Sequence, residues 1–225
     1  MNRLREWTAR FGRNTWRDWP SRAYKRSGLQ ARLATVERHL WECIDLAPAG
    51  AVRIVSVCAG DGRDVTKVVE EHPRRADVSA WLVEADVASI ETGKKLARGV
   101  GLHESVRFLH ADATTYAIYT GLGPADVVLL CGVWGHVPPA DRASVASALH
   151  LLCQPGGMVI WTRGLRSGPW RFDEIRSHFD GREWDEVRTT FTDDGKWAVA
   201  TFRTAEPADP LPTNGRIFSF QTGAG

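Results

Sequence analysis

From about Leu29 the apolar positions recur at steps of three and four, with Leu33, Val36, Leu40 and Ile44 on one stripe, and predict an amphipathic helix. Asp45-Leu46-Ala47-Pro48-Ala49-Gly50 ends it, since proline cannot extend the hydrogen-bond ladder and glycine weakens it. Beyond that loop the spacing changes to short apolar runs separated by amphipathic stretches. Val52–Cys58, Val78–Glu84, Val106–Leu109, Ala125–Cys131 and Gly157–Thr162 read as strands, and Arg63–Glu71, Asp86–Arg98 and Ala140–Cys153 as helices. Ala125–Cys131 is nearly all apolar, as a strand covered on both faces must be. Repeated strand–helix alternation means right-handed crossovers and a parallel sheet.

After a short helix near Phe172–Phe179 the pattern changes. Glu183–Phe191 and Lys196–Phe202 alternate and are β-rich, and Thr192-Asp193-Asp194-Gly195 between them is a turn signal. They predict an antiparallel hairpin on one edge of the sheet. Ile217–Phe220, after a Pro-rich connection, is a candidate for one more strand. The expected fold is α/β: a doubly wound, mostly parallel seven-stranded sheet with an antiparallel C-terminal hairpin and an N-terminal helical cap. Residues 1–50 are expected to form that cap or lid, and 51–225 the ligand-binding domain.

Composition changes little. At 225 residues, 43% hydrophobic and 25% charged, the chain has globular averages and core enough to fold without disulfides or metals. Its four cysteines, Cys43, Cys58, Cys131 and Cys153, form no C-x-x-C pair, so no metal site is expected and the thiols should stay reduced. No apolar run reaches the ~18 residues of a membrane span and no signal-peptide core follows the start, so a cytoplasmic protein without membrane partners is expected.

Charge is more informative in its distribution than in its sum. Residues 1–26 hold eight basic and two acidic side chains, in a chain whose net charge is only +2. Trp7, Phe11, Trp16, Trp19 and Tyr24 are interleaved with them. The readings are a helical appendage whose aromatics pack while its arginines stay in water, a lid over an anionic or aromatic ligand, a nucleic-acid-binding arm, or a cleaved transit peptide, against which the aromatics count.

The segment Cys58-Ala59-Gly60-Asp61-Gly62-Arg63-Asp64 carries the strongest chemical signal. A strand runs into a tight glycine turn and a helix opens at once, so backbone can approach a ligand closely and free N–H groups face an anion. Glu84 ends the second strand, where a carboxylate can take both hydroxyls of a ribose. Asp112 follows the third strand, where an acid can accept from an adenine amine. Each is ordinary alone. Together they sit at the carboxyl ends of successive strands, where open parallel sheets bind ligands.

With Leu152-Cys153-Gln154-Pro155-Gly156-Gly157 before the fifth strand, these features make the chain resemble the class I S-adenosylmethionine-dependent methyltransferases, from about Val52 to Phe202. The wording of the glycine loop looks like that of a group of small bacterial enzymes. The resemblance implies S-adenosyl-L-methionine as cofactor, leaving as S-adenosyl-L-homocysteine. It places the cofactor against Cys58, Ala59, Gly60, Asp61, Gly62, Glu84, Ala85, Asp112, Ala113, Cys131 and Gly132. Two departures stand out: Ser56 where the family usually has an acid, and Cys58 where it has a glycine. Asp61 or backbone carbonyls are then left for the cofactor's amino group.

A nicotinamide fingerprint would need glycine at position 65, where Val65 stands. The Asn/Asp-Pro-Pro-aromatic motif of nucleobase amino methylases is missing after the fourth strand, which reads Cys131-Gly132-Val133-Trp134-Gly135-His136. A small-molecule acceptor is therefore expected, handled by a monomer or homodimer, with nucleic acid disfavoured. His136 is the candidate general base, or else a loop histidine capping the next helix. Trp19, Tyr24, Trp134 and Arg163 are the candidate substrate contacts. Arg163 either clamps a carboxylate or faces water. The other function classes left open are an RNA methyltransferase using the basic arm and a cofactor-binding module without transferase activity.

Overall fold

A computed structural model of the chain describes residues 28–181, 183–206 and 208–220. Its elements in chain order are α1 (Leu29–Leu46), β1 (Val52–Val57), α2 (Arg63–Glu71), β2 (Val78–Glu84), α3 (Val87–Gly99), β3 (Val106–His110), β4 (Ala125–Leu130), α4 (Arg142–Leu152), β5 (Cys153–Gly164), α5 (Trp170–Arg176), β6 (Trp184–Phe191) and β7 (Trp197–Thr204). The seven strands form one sheet in the order β3-β2-β1-β4-β5-β7-β6. The pairings β3–β2, β2–β1, β1–β4 and β4–β5 are parallel, while β5–β7 and β7–β6 are antiparallel. Chain order reverses at β1 and β4, so a crevice opens above their carboxyl ends, the usual ligand place in such sheets.

Strand alternation distributes the core to both faces. Ile54, Leu82, Leu129 and Ile160 pack with Val36, Leu40, Ile44, Val65 and Val69. On the other face Val55, Val128, Leu130 and Trp161 pack with Val145, Leu149, Phe172 and Phe179. The described part of the segment expected to cap the domain, α1, is thus built into one of the two helical layers. Its His39 is buried and bonds Thr201 Oγ1 of β7 (2.8 Å) and Thr190 Oγ1 of β6 (2.9 Å).

Two expectations need correction. Leu152-Cys153-Gln154-Pro155-Gly156-Gly157 does not lie wholly before the fifth strand, because β5 already begins at Cys153 and the register slips between Ala125 and Val127 of β4. The segment is an irregular bulge held from both sides: Gln154 Nε2 donates to Asp126 Oδ1, and Thr204 Oγ1 to the Gln154 carbonyl at 3.1 Å. Ile217–Phe220 is not a strand either. A single antiparallel bridge, Thr115 with Arg216, is formed there, and Ile217 and Phe218 bury their side chains in the core from a loop. Its apolar side chains answer a packing demand that needs no ladder.

Candidate functional site

The chain leaves β1 through a left-handed residue that is not glycine, Cys58 at φ 55°, followed by Gly60 at 60° and Gly62 at 58°. A side chain in this region is strained, and such strain persists where surrounding structure enforces it. Gly62 needs its missing Cβ, which would stand 2.0 Å from Leu82 Cδ2, whereas a Cβ on Gly60 would meet nothing within 4 Å. The loop is therefore anchored at its helix end and open at its middle. Ala59 donates its N–H to the Val83 carbonyl at 3.0 Å. From below, α3 comes so close at Gly93 that a Cβ there would lie 2.5 Å from the Asp61 carbonyl oxygen.

Glu84 ties this loop to β2. Its Oε2 accepts from the Gly60 N–H at 2.8 Å, and Oε1 accepts from the N–H groups of Ala85 and Asp86 at 2.8 Å each. Burial pushes its pKa up, partly offset by these three donors. A carboxylate has about four lone-pair positions, so roughly one remains, on Oε2, where the sequence predicts both oxygens free for a ribose. Asp112 is similarly engaged: Oδ1 accepts from the Thr114 N–H at 3.0 Å and its Oγ1 at 2.6 Å, and Oδ2 lies 3.4 Å from Arg216 Nη2. The loop carrying Arg216 pairs with Thr114–Tyr116 through Ile217 N–H to Thr114 O (2.8 Å), beside the acid expected at the adenine. Ala85 and Ala113 are buried, and the Ala113 carbonyl accepts from the Tyr119 hydroxyl at 2.8 Å. Asp61 pairs with Arg63, whose Nε lies 2.9 Å from Oδ1.

At the end of β4, Cys131 is half-buried and Gly132 (φ 81°) donates its N–H to Thr162 Oγ1 at 2.8 Å. Here the structure brings in Arg32, which the sequence alone does not single out, and gives Asp64 of the glycine-loop motif a place. Arg32, in the first turn of α1, stacks over Trp197 at 4.9 Å, and its Nη1 lies 3.0 Å from the place a Gly132 Cβ would take. Its Nε and Nη1 are buried without a partner among the described residues. Asp64, in the first turn of α2, has its pKa raised by burial, with Arg32 among the groups that pull it back. Nothing in the sequence distinguishes Arg32 from Arg38, the other arginine of this amphipathic helix.

The candidate acceptor side comes after β4. His136 closes the 3-10 turn Trp134–His136, and its pKa is lowered by burial and then by Arg163. The N-cap residues of the turn Pro139–Asp141 and of α4, Pro138 and Asp141, make no side-chain cap bond of their own. Trp134, expected on the substrate rim, is fully buried, edge-on to Trp161 (6.1 Å) and Phe179 (6.0 Å). Its ring is core; what it retains for a ligand is an indole N–H without an acceptor. Arg163, near the end of β5, is buried too and does not face water. Trp19 and Tyr24 lie outside the described residues. The two grooves between α1, α2 and α3 share no residue with this site except Arg63, which borders the glycine loop.

A seven-stranded sheet in this order, with a glycine turn after β1 and acids after β2 and β3, is the methyltransferase α/β fold. The chain belongs to the family described as "Putative methyltransferase", whose model matches residues 13–190. It is also 26% identical over 142 residues to the Escherichia coli (strain K12) protein "Uncharacterized protein YnbC", a match covering 60% of this chain and 23% of that one. The chain thus spans about a quarter of that relative's length. Among solved structures it resembles magnesium protoporphyrin IX methyltransferase from Synechocystis PCC 6803, solved with bound S-adenosylmethionine (TM-score 0.59, 15% identity, 89% of this chain and 90% of that one). It also resembles a SAM-dependent methyltransferase from Thiobacillus denitrificans in complex with S-adenosyl-L-homocysteine (TM-score 0.58, 15% identity, 76% and 91%). Among the described residues no helix is long and apolar enough to cross a membrane.

Proposed function

We propose that the protein is a cytoplasmic S-adenosylmethionine-dependent methyltransferase acting on an O, N or C atom of a small molecule. The observation that carries this reading is the glycine loop latched to Glu84 and open above Gly60, with Arg32, whose Nε and Nη1 have no hydrogen-bond partner among the described residues, beside Gly132 at the end of β4. These residues fit the cofactor. Gly60, Gly62 and the free position on Glu84 Oε2 would hold the ribose, Asp112 with Ala113 the adenine, and Cys131, Gly132 and Arg32 the methionine end. Arg32 suits its carboxylate, being a permanent cation with hydrogen-bond donors to spare. When bound, the cofactor supplies an electrophilic methyl on a sulfonium sulfur.

What the chain's own residues add is mostly placement. Alignment of the reacting groups can contribute roughly 7–11 kcal/mol, and a positioned base a further ~10²–10⁴-fold. His136 is the candidate base. With its pKa held below 6.5 by burial and by Arg163, the imidazole is neutral at neutral pH, the form that can take the acceptor's proton. The expected pH profile has kcat/KM level through neutrality and falling only on the acid side of pH 6.5, as the imidazole protonates. His136→Ala should cost ~10²–10⁴-fold in kcat and remove that acid limb. An unchanged profile in the variant would take His136 out of the mechanism.

The function itself is tested by tracking conversion of S-adenosylmethionine to S-adenosylhomocysteine with panels of small phenols, amines and acids beside bulk RNA. Turnover on a small molecule is expected. Turnover on RNA alone, falling steeply with added salt, would replace this reading with an RNA methyltransferase using the basic arm.

A further inference from the structure

Under the turn that carries His136 lies a group of buried hydrogen-bond donors with too few acceptors. Arg163 projects from the end of β5 and is only 4% exposed, yet its Nε and Nη2 have no partner among the described residues. Its Nη1 lies 3.3 Å from the place a Gly135 Cβ would take, directly beside His136. Arg142, 6% exposed, leaves its Nε unpartnered, and so does Arg171. The indole N–H groups of Trp134 and Trp161 are in the same condition. Among the described residues Arg142 and Arg171 both repel the Arg163 charge, and Glu174, already paired with Arg142, is the one acid acting to offset it. Three cations face one carboxylate.

Guanidinium does not deprotonate in a protein, so this imbalance cannot be relieved by losing a proton. A buried cation without a partner is costly and persists where function requires it. The geometry also names the missing partner's shape. Nε–H and Nη2–H form one edge of the guanidinium plane and point the same way, the fork that receives both oxygens of a carboxylate. The surroundings are flat and apolar: Phe172 stacks on Trp161 at 5.2 Å, and Trp134 meets Trp161 edge-on.

We propose that Arg163, supported by Arg142 and Arg171, is a carboxylate-binding subsite for the methyl acceptor, so that the substrate is a small carboxylic acid, anchored by its acid group beside His136. The assignment rests on the methyltransferase reading for its role, and on the unpartnered guanidinium edge for its chemistry. An aromatic monocarboxylate suits the subsite better than inorganic phosphate, whose tighter hydration an apolar layer replaces poorly.

The test is thermal melting of the full chain, with and without saturating S-adenosylhomocysteine, in the presence of benzoate, benzamide or inorganic phosphate. Benzoate should raise Tm by more than benzamide or phosphate. Arg163→Met should erase the benzoate shift, keep the S-adenosylhomocysteine shift, and raise the ligand-free Tm by about 2–4 °C through loss of an unpaired buried charge. Arg163→Lys keeps the charge and loses the fork, and should lose most of the benzoate shift, which decides the matter if the methionine variant does not fold. Equal shifts with benzoate and benzamide, a shift with phosphate alone, or a benzoate shift surviving both substitutions would overturn the subsite. Failure of the cofactor reading shows separately, as absence of any S-adenosylhomocysteine shift while benzoate still acts.

Discussion

Single atoms decide the candidate site. At Gly93 the structure has no room for even one methyl group, since a Cβ would lie 2.2 Å from Phe108 Cζ and 2.5 Å from the Asp61 carbonyl. Gly93→Ala should therefore lower stability by roughly 1–3 kcal/mol through overpacking, despite its better helix propensity. Gly99→Ala, on the same helix where a Cβ meets nothing within 4 Å, should leave Tm unchanged or higher. Similar melts for both variants would mean that α3 does not press on the loop. At this scale the sequence is a partial guide. Gly60, Gly62, Glu84 and Asp112 were legible as candidates because together they fall at the carboxyl ends of successive strands, though each is ordinary alone. The latch from Glu84 to Gly60 and the burial of Trp134 were not, because they depend on which way a side chain turns. Arg32 and Arg142 were hidden among many arginines, and only buried guanidinium N–H groups without an acceptor among the described residues set them apart.

At the scale of elements, periodicity located most helices and strands to within a residue or two, since both faces of the sheet are covered and the apolar pattern is strong. It failed where tertiary bonds override local signals. The Pro-Gly-Gly segment looks like a turn but is held into β5 as a bulge by Asp126 and Thr204. Ile217–Phe220 has the composition of a strand but no neighbour to pair with beyond one bridge. The junction of α1 with the hairpin makes a pH prediction. His39 is buried between Thr201 and Thr190, and burial lowers its pKa from 6.5 to about 4. A depressed folded-state value means that the unfolded chain takes up the proton first. Its stability contribution is full above pH 6.5 and is lost as pH falls toward 4, a loss of roughly 3 kcal/mol. Urea unfolding of the wild type at pH 7 and pH 5 should show a drop in midpoint that is smaller in His39→Gln. An equal drop in both would assign acid sensitivity elsewhere.

The whole molecule supplies what neither residues nor elements can: a place where they meet. The strand order brings the glycine turn of β1 next to the end of β4, more than 70 residues away in sequence, with Arg32 of α1 beside Gly132 at the latter. The parallel alternation made this architecture legible from sequence, and with it the cofactor side. On the candidate acceptor side the sequence offers His136 and Arg163 but not Arg142 and Arg171, because those two stand out only through where α4 and α5 bring their guanidinium groups.

The central claim, that the loop latched by Glu84 is a S-adenosylmethionine cradle, is tested most directly by calorimetric titration of the full chain with S-adenosylhomocysteine. Wild type should bind one molecule per chain. Glu84→Ala, which removes a charged hydrogen-bond partner, should bind at least about tenfold more weakly. No binding to the wild type, or equal affinity in the variant, would contradict the account.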